Sequence, residues 1–210
     1  MQNKFWIILS AAVVGLIAIF FIAGGKPSTP EELQYQEPIL SIQTHDHTKG
    51  EGKNVLIEYG DFQCPSCLQW YSLIDQVVKE LAEDLTFVFR HFPLRTIHPN
   101  AQSAHLAAEA AAKQDKFFEM YDLIYQTQNQ WSSASNVSEI FESFAEQLEL
   151  DMDQYKEDVR DSLTNTKINS DIKSGSEIGV TGTPSFFLNG EKVELQDAPT
   201  TVDGWQELLR

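Results

Sequence analysis

The chain has 210 residues, 42% of them hydrophobic and 22% charged, which is ordinary for a globular protein with one sizeable core. Its formal net charge is −16, and its first 26 residues hold two lysines and no acid. The remainder carries 13 basic and 31 acidic side chains. Such a surface repels phosphate backbones and anionic headgroups, which argues against nucleic acid as a partner. The acids are scattered, a pattern that favours solubility over a single acidic binding face.

Phe5–Ala23 is 19 residues without a charge. As a helix it would span about 28 Å, close to the hydrocarbon core of a bilayer. It is longer than the apolar part of a signal peptide, which favours a retained single-pass anchor over residues 1–25. Ala23-Gly24-Gly25 leaves cleavage, and hence a secreted or periplasmic protein, as the alternative. Lys4 points the N-terminus inward and Lys26 opposes it. The expectation is N-in, with the folded part on the extracytoplasmic side of the cell membrane. Residues 26–38 contain three prolines and read as a semi-extended tether. With a weak strand at Ile39–Gln43, the tether region spans 26–51.

The folded part is expected over 52–210. Asn54–Tyr59 is β-branched and apolar and predicts a buried strand. Cys64–Ala82 predicts a helix, with Leu68, Tyr71, Leu73, Ile74, Val77, Val78 and Leu81 forming an apolar stripe. Leu85–Phe92 predicts a second strand. A helical block follows over about 98–178, with helices at Ala101–Ala112, Lys116–Thr127, Val137–Leu148, Asp151–Leu163 and Thr166–Ile178. Asn136 and Glu139 suit a capping box. Ser185–Leu188 and Lys192–Leu195 flank Asn189-Gly190, a strong hairpin signal. Thr201–Leu209 predicts a last helix. Strands on both sides of one helical block predict an α/β sheet interrupted by an all-helical insertion.

The two cysteines of the chain, Cys64 and Cys67, stand three apart in GDFQCPSCLQW. As a staple they would be poorly placed. Closing a four-residue loop removes about 2 kcal/mol of unfolded-chain entropy, against about 4.7 for a loop of 100. As a metal site they are half a tetrahedron. Histidines 45, 47, 91, 98 and 105 lack the paired spacing of a zinc module, and His45 and His47 read as solvated loop residues. No metal is expected. The redox reading explains more. A strand, a turn and a helix place Cys64 at the helix N-cap and Pro65 at the first helical position. Helix amides and the positive dipole end then favour thiolate at an exposed Cys64, with Cys67 a recessed resolving thiol one turn on. A C-x-x-C pair that opens a helix after a buried strand is a strong form of this signal.

Glu58 is an acid in an apolar strand, six residues before Cys64. Buried, its pKa would rise and it could exchange a proton with the recessed thiol; otherwise it is a strand-end acid facing water. Asp61 is expected to be exposed in the turn. In GVTGTPSFF, residues 179–187, Pro184 either sits in a cis turn that leaves the Thr183 N–H and C=O for an extended substrate, or opens an edge strand in trans. Phe62, Leu94 and Ile97 belong to a substrate groove or to the core.

The segments EYGDFQCPSC, FRHFPL, HPNAQSAHLAAEAA, DKFFEMYDLIY and GVTGTPSFFLNG, taken in order over about 52–210, resemble the DsbA-like thiol–disulfide oxidoreductases. The resemblance implies a thioredoxin-like fold with a helical insertion. It implies a catalytic redox disulfide of Cys64 and Cys67, with Cys64 forming the mixed disulfide and Cys67 resolving it. Glu58 would be the buried acid, and Thr183-Pro184 the substrate-binding cis-proline loop. The best-known members carry histidine between the cysteines. Here the active-site dipeptide is Pro65-Ser66, whose serine can donate a hydrogen bond to the thiolate but brings no charge. The implied activity is introduction of disulfides into exported proteins with free thiols. No cofactor is expected, and reoxidation would come from a membrane partner or a small oxidant. A reductase or isomerase of the same fold, a non-enzymatic binding module and a metal chaperone are the alternatives.

Overall fold

The two apolar strand candidates lie side by side at the centre of a five-stranded sheet in the computed structural model, which describes residues 39–210. The anchor candidate and residues 26–38 lie outside the described residues. Among the described residues no helix is long and apolar enough to cross a membrane. Strands β1 (His47–Lys49), β2 (Asn54–Gly60), β3 (Leu85–His91), β4 (Ser185–Leu188) and β5 (Glu191–Val193) stand in the order β1-β3-β2-β4-β5. β2 and β3 are parallel; the other pairs are antiparallel. Helix α1 (Pro65–Glu80) makes the crossover between β2 and β3. This is an α/β, thioredoxin-like sheet.

Both faces of β2 and β3 are covered, which is why their sequences are apolar without alternation. On one face Leu56 and Glu58 pair in register with Phe87 and Phe89 of β3 and with Leu188 and Phe186 of β4. On the other, Ile57, Tyr59, Val88 and Phe187 pack with Phe92 and Val180. α1 buries Cys67, Tyr71, Ile74, Val77 and Val78, the spacing of one helix face. It also touches α8 (Val202–Leu208) at the end of the chain.

Six helices separate β3 from β4: α2 (Ala101–Ala112), α3 (Phe117–Gln126), α4 (Gln128–Trp131), α5 (Val137–Gln147), α6 (Met152–Arg160) and α7 (Ser162–Glu177). Six of the seven alanines of α2 are buried, and their small size lets α3, α5, α6 and α7 all pack on it. α7 returns to the sheet against β3. Gly175 makes that return possible, because a Cβ there would come within 2.9 Å of the Tyr59 ring. Leu56, Phe89, Tyr121, Trp131 and Phe141 share one core, so insertion and sheet form one compact unit. The Asn189-Gly190 turn has positive φ at both residues (50° and 86°), as a tight hairpin requires.

Three expectations change. No strand forms at Ile39–Gln43; the edge strand is His47–Lys49. The earlier residues serve Arg90, whose guanidinium takes the carbonyls of Ile39 and Ser41, the Tyr59 hydroxyl and both oxygens of Asp46 (3.0 and 2.7 Å). The capping box is absent, since the Asn136 and Glu139 side chains bond each other and not the helix amides. The helix expected over Asp151–Leu163 stops at Arg160, because Asp161 turns extended and caps α7 instead through Leu163 N–H.

The Arg90–Asp46 pair is almost wholly desolvated, with side chains 2% and 0% exposed. Removing one member leaves the other charge buried and alone. Arg90→Met should therefore cost about 3–5 kcal/mol. A lowered urea midpoint would show it. Arg90→Lys should recover only part, because an ammonium cannot serve five acceptors in a plane.

Candidate active site

β2 ends at Gly60, four residues turn the chain, and α1 begins at Pro65. Cys64 is the N-cap, with extended backbone (φ −71°, ψ 122°), and Pro65 holds the first helical position. Both cysteines are free thiols. Cys64 is 7% exposed and Cys67 is 0% exposed. The nucleophile expected to be exposed is thus largely buried, while the order of access is as expected. The Thr183–Pro184 peptide is cis. It lies beside the pair, with the Cys64 thiol donating to the Thr183 carbonyl at 3.3 Å.

The environment separates the two thiols. The Cys67 thiol hydrogen-bonds to the Cys64 sulfur and outweighs burial. The Thr183 side chain and the backbone N–H groups of Cys67 and Ser66 add to it, bringing the Cys64 pKa down to about 5. The Thr183 hydroxyl is buried without another partner among the described residues, which leaves it free for a thiolate. Burial pushes the Cys67 thiol the other way, well above the ordinary range, and the proximity of Cys64 and Glu58 adds to this. Glu58 is buried, not water-facing, between Phe89 and Phe186 in the sheet register. Burial, then the charge on Cys64, raises its pKa to about 8. At neutral pH the reduced site holds a thiolate at Cys64, a thiol at Cys67 and a neutral acid at Glu58.

The turn is held by side chains that periodicity does not reveal. Asp61, expected at the surface, is 0% exposed. Its carboxylate accepts the N–H groups of Gln63 and Leu94 and the His98 ring, each at 2.7–2.8 Å. Its own N–H points at the Cys67 sulfur, 3.5 Å away. Gln128 of α4 donates to the carbonyls of Phe62 and Cys64. Gln63 bridges the Ser132 carbonyl and the Asn100 N–H. Phe62 is core, ringed by Phe89, His105, Tyr121 and Tyr125. Leu94 packs against the second core cluster, while Ile97 stands 66% exposed on the loop tied to Asp61 by His98.

The family model described as thioredoxin matches residues 45–210. The chain belongs to the thioredoxin family. Its fold is that of the DsbA-type thiol–disulfide oxidoreductases. Alpha-DsbA1 of Wolbachia pipientis superimposes with a TM-score of 0.67 at 19% identity, over 81% of this chain and 92% of that one. Oxidised BdbD of Bacillus subtilis gives 0.66 at 18% identity, over 77% and 89%. Among curated proteins, a Na(+)/H(+) antiporter NhaA 1 of Salinispora arenicola is 39% identical over 152 residues, 70% of this chain. That match is 22% of the antiporter, so this thioredoxin-family chain spans about a fifth of the length of that relative.

Cys64, Cys67, Pro65, Ser66, Thr183, Pro184 and Glu58 all come together at one end of β2 and α1. Gln128, Gln63 and Asn100 were not legible because each is a polar residue whose partner is a backbone group distant in sequence, and the burial of Asp61 was not because Leu94 and His98, which cover it, are some 33–37 positions away. The Cys64 thiolate carries a direct test. In the reduced full chain, thiolate absorbance and the rate of alkylation at Cys64 should titrate with a midpoint near pH 5. Cys67→Ala removes the largest stabilising hydrogen bond and should move that midpoint up toward an ordinary thiol.

Proposed function

We propose that the protein is a membrane-tethered thiol–disulfide oxidoreductase that donates the Cys64–Cys67 disulfide to exported proteins. The observation that carries this is the opposite displacement of the two thiols, Cys64 down to about 5 and Cys67 well up. A substrate thiolate attacks the Cys64 sulfur. The Cys64–Cys67 bond breaks and a mixed disulfide forms. Cys67 leaves as a strongly basic thiolate and takes a proton, for which Glu58, protonated below about pH 8, is the adjacent donor. The substrate's second thiolate then attacks its own sulfur in the mixed disulfide. Cys64 departs as the stabilised thiolate, a good leaving group. The substrate has lost two electrons and the enzyme has gained them.

Thr183 is proposed to present backbone groups to an extended substrate while its hydroxyl steadies the departing Cys64 thiolate. Neither step needs a metal or an organic cofactor. The reduced pair must pass its electrons on, to a membrane partner or a small oxidant. The extracytoplasmic setting rests on the apolar Phe5–Ala23 segment. The matching segment within a protein named for ion antiport supports the membrane association alone.

Equilibration of the full chain with glutathione buffers tests the direction of transfer. The expected midpoint lies well above thioredoxin's roughly −270 mV, toward the −120 mV end of the scale. A value at or below thioredoxin's would make the protein a reductase. Cys64→Ala should abolish disulfide transfer. Glu58→Gln should slow it by about 100-fold and remove the fall in rate as pH rises through about 8.

A further inference from the structure

We propose that His47, His91 and Glu109 form a binding site for a divalent transition metal of the zinc class. The three come from β1, β3 and α2, which is why spacing along the chain gives no hint of them. One ligand atom from each lies within 4.8 Å of the others. The Nε2 atoms of His47 and His91 both point at Glu109 Oε1, at 2.5 and 2.6 Å. His47 is not the solvated loop residue expected from sequence. Its ring stacks on Phe117 with centroids 3.6 Å apart, which fixes its direction. The side chains of His91 and Glu109 are 0% and 9% exposed, while that of His47 is 17% exposed. The cluster is therefore walled by protein on the inner side and reachable from the outer one.

Two imidazoles and a carboxylate are a donor set that zinc takes with a fourth position for water. Imidazole suits zinc, copper and nickel, and a single carboxylate with two rings is too nitrogen-rich for calcium or magnesium. Tetrahedral bonds of about 2.0–2.1 Å place ligand atoms about 3.3 Å apart. The present separations from Glu109 Oε1 are shorter by under 1 Å, so the ligands need only spread slightly to admit an ion. The other clustered trio, His45, Asp46 and Asp171, does not compete. Arg90 holds both oxygens of Asp46, and Asp171 Oδ2 takes Lys167 and the His91 N–H. A cation there would face a guanidinium and an ammonium.

The second nitrogen of His91 completes the site. Its Nδ1 lies 2.5 Å from His105 Nδ1, so one of the two must carry the proton. Without metal, His105 Nε2 accepts the Phe62 N–H. The His105 proton is then on Nδ1, His91 accepts it, and His91 Nε2–H donates to Glu109. A metal on His91 Nε2 needs a lone pair there. The His91 proton moves to Nδ1, and that of His105 moves to Nε2, where Asp61 Oδ1 lies 3.9 Å away. His47 likewise carries its proton on Nδ1. On binding, the Phe62 N–H gives up His105 Nε2 as its acceptor, and His105 Nδ1 becomes the acceptor that holds His91 Nδ1–H from behind.

Zinc chloride, titrated calorimetrically into the oxidised full chain in detergent, tests the site. The disulfide form is used because neither sulfur can then bind metal. One zinc per chain is expected, and His47→Ala, at the rim, should weaken binding at least about 10-fold while keeping the circular dichroism spectrum. Long-range proton–nitrogen spectra of the rings should show His91 and His105 exchanging tautomers when zinc is added. Absence of zinc binding, equal binding by His47→Ala, or zinc uptake with no tautomer change at His91 would each overturn the proposal.

Discussion

A thiolate at Cys64 survives only if the turn before it is immobile, and everything around residues 61–64 serves that constraint. The turn has no ladder of its own. Its backbone groups are taken up one at a time by side chains from elsewhere: Asp61 within the turn, His105 from α2 and Gln128 from α4. Each bond is modest, about 1 kcal/mol net, but an unmade one costs more. Together they fix the direction in which the first amides of α1 point. The helical insertion thus positions the reactive sulfur as much as the sheet does, and the shared core leaves no seam along which the two could shift.

The second half of the design is a gradient of water. Cys64 keeps a sliver of exposure, while Cys67 and Glu58 sit behind it against Phe89, Phe186 and the tyrosines of α3. Over these few residues the preferred charge state reverses. Thiolate is favoured outside, and neutral thiol and neutral acid within. The helix amides of Ser66 and Cys67 act on Cys64 at the N-cap, and none of them lowers Cys67. The Cys67 hydrogen bond lowers Cys64 and burial raises Cys67, and the two together make the pair unequal.

The sequence disclosed what local pattern can disclose. β2, β3, α1 and the hairpin were legible because burial on both faces, an apolar stripe and Asn-Gly turn chemistry leave marks at short range. The cysteines, Pro65, Glu58 and Thr183-Pro184 were legible because each is an unusual residue for its element. What stayed hidden depends on distant partners. Asp61 read as a surface acid because nothing nearby announces that Leu94 and His98 fold over it. His47 read as a loop residue because Phe117 and Glu109 lie some 60–70 positions away. Ile39–Gln43 read as a strand from its apolar residues, but its carbonyls at Ile39 and Ser41 serve Arg90, a need visible only once Arg90 is known to be buried.

The contact between Cys64 and the Thr183 carbonyl joins residues 119 positions apart. Chain synthesis proceeds at about 5–20 residues per second, so the cysteines precede that partner by about 6–24 s. For that interval the CPSC turn exists without its opposite wall, and the sulfurs meet any thiol or oxidant in their surroundings as unguarded groups. The pair therefore gains its opposite wall only when the segment before the last hairpin docks.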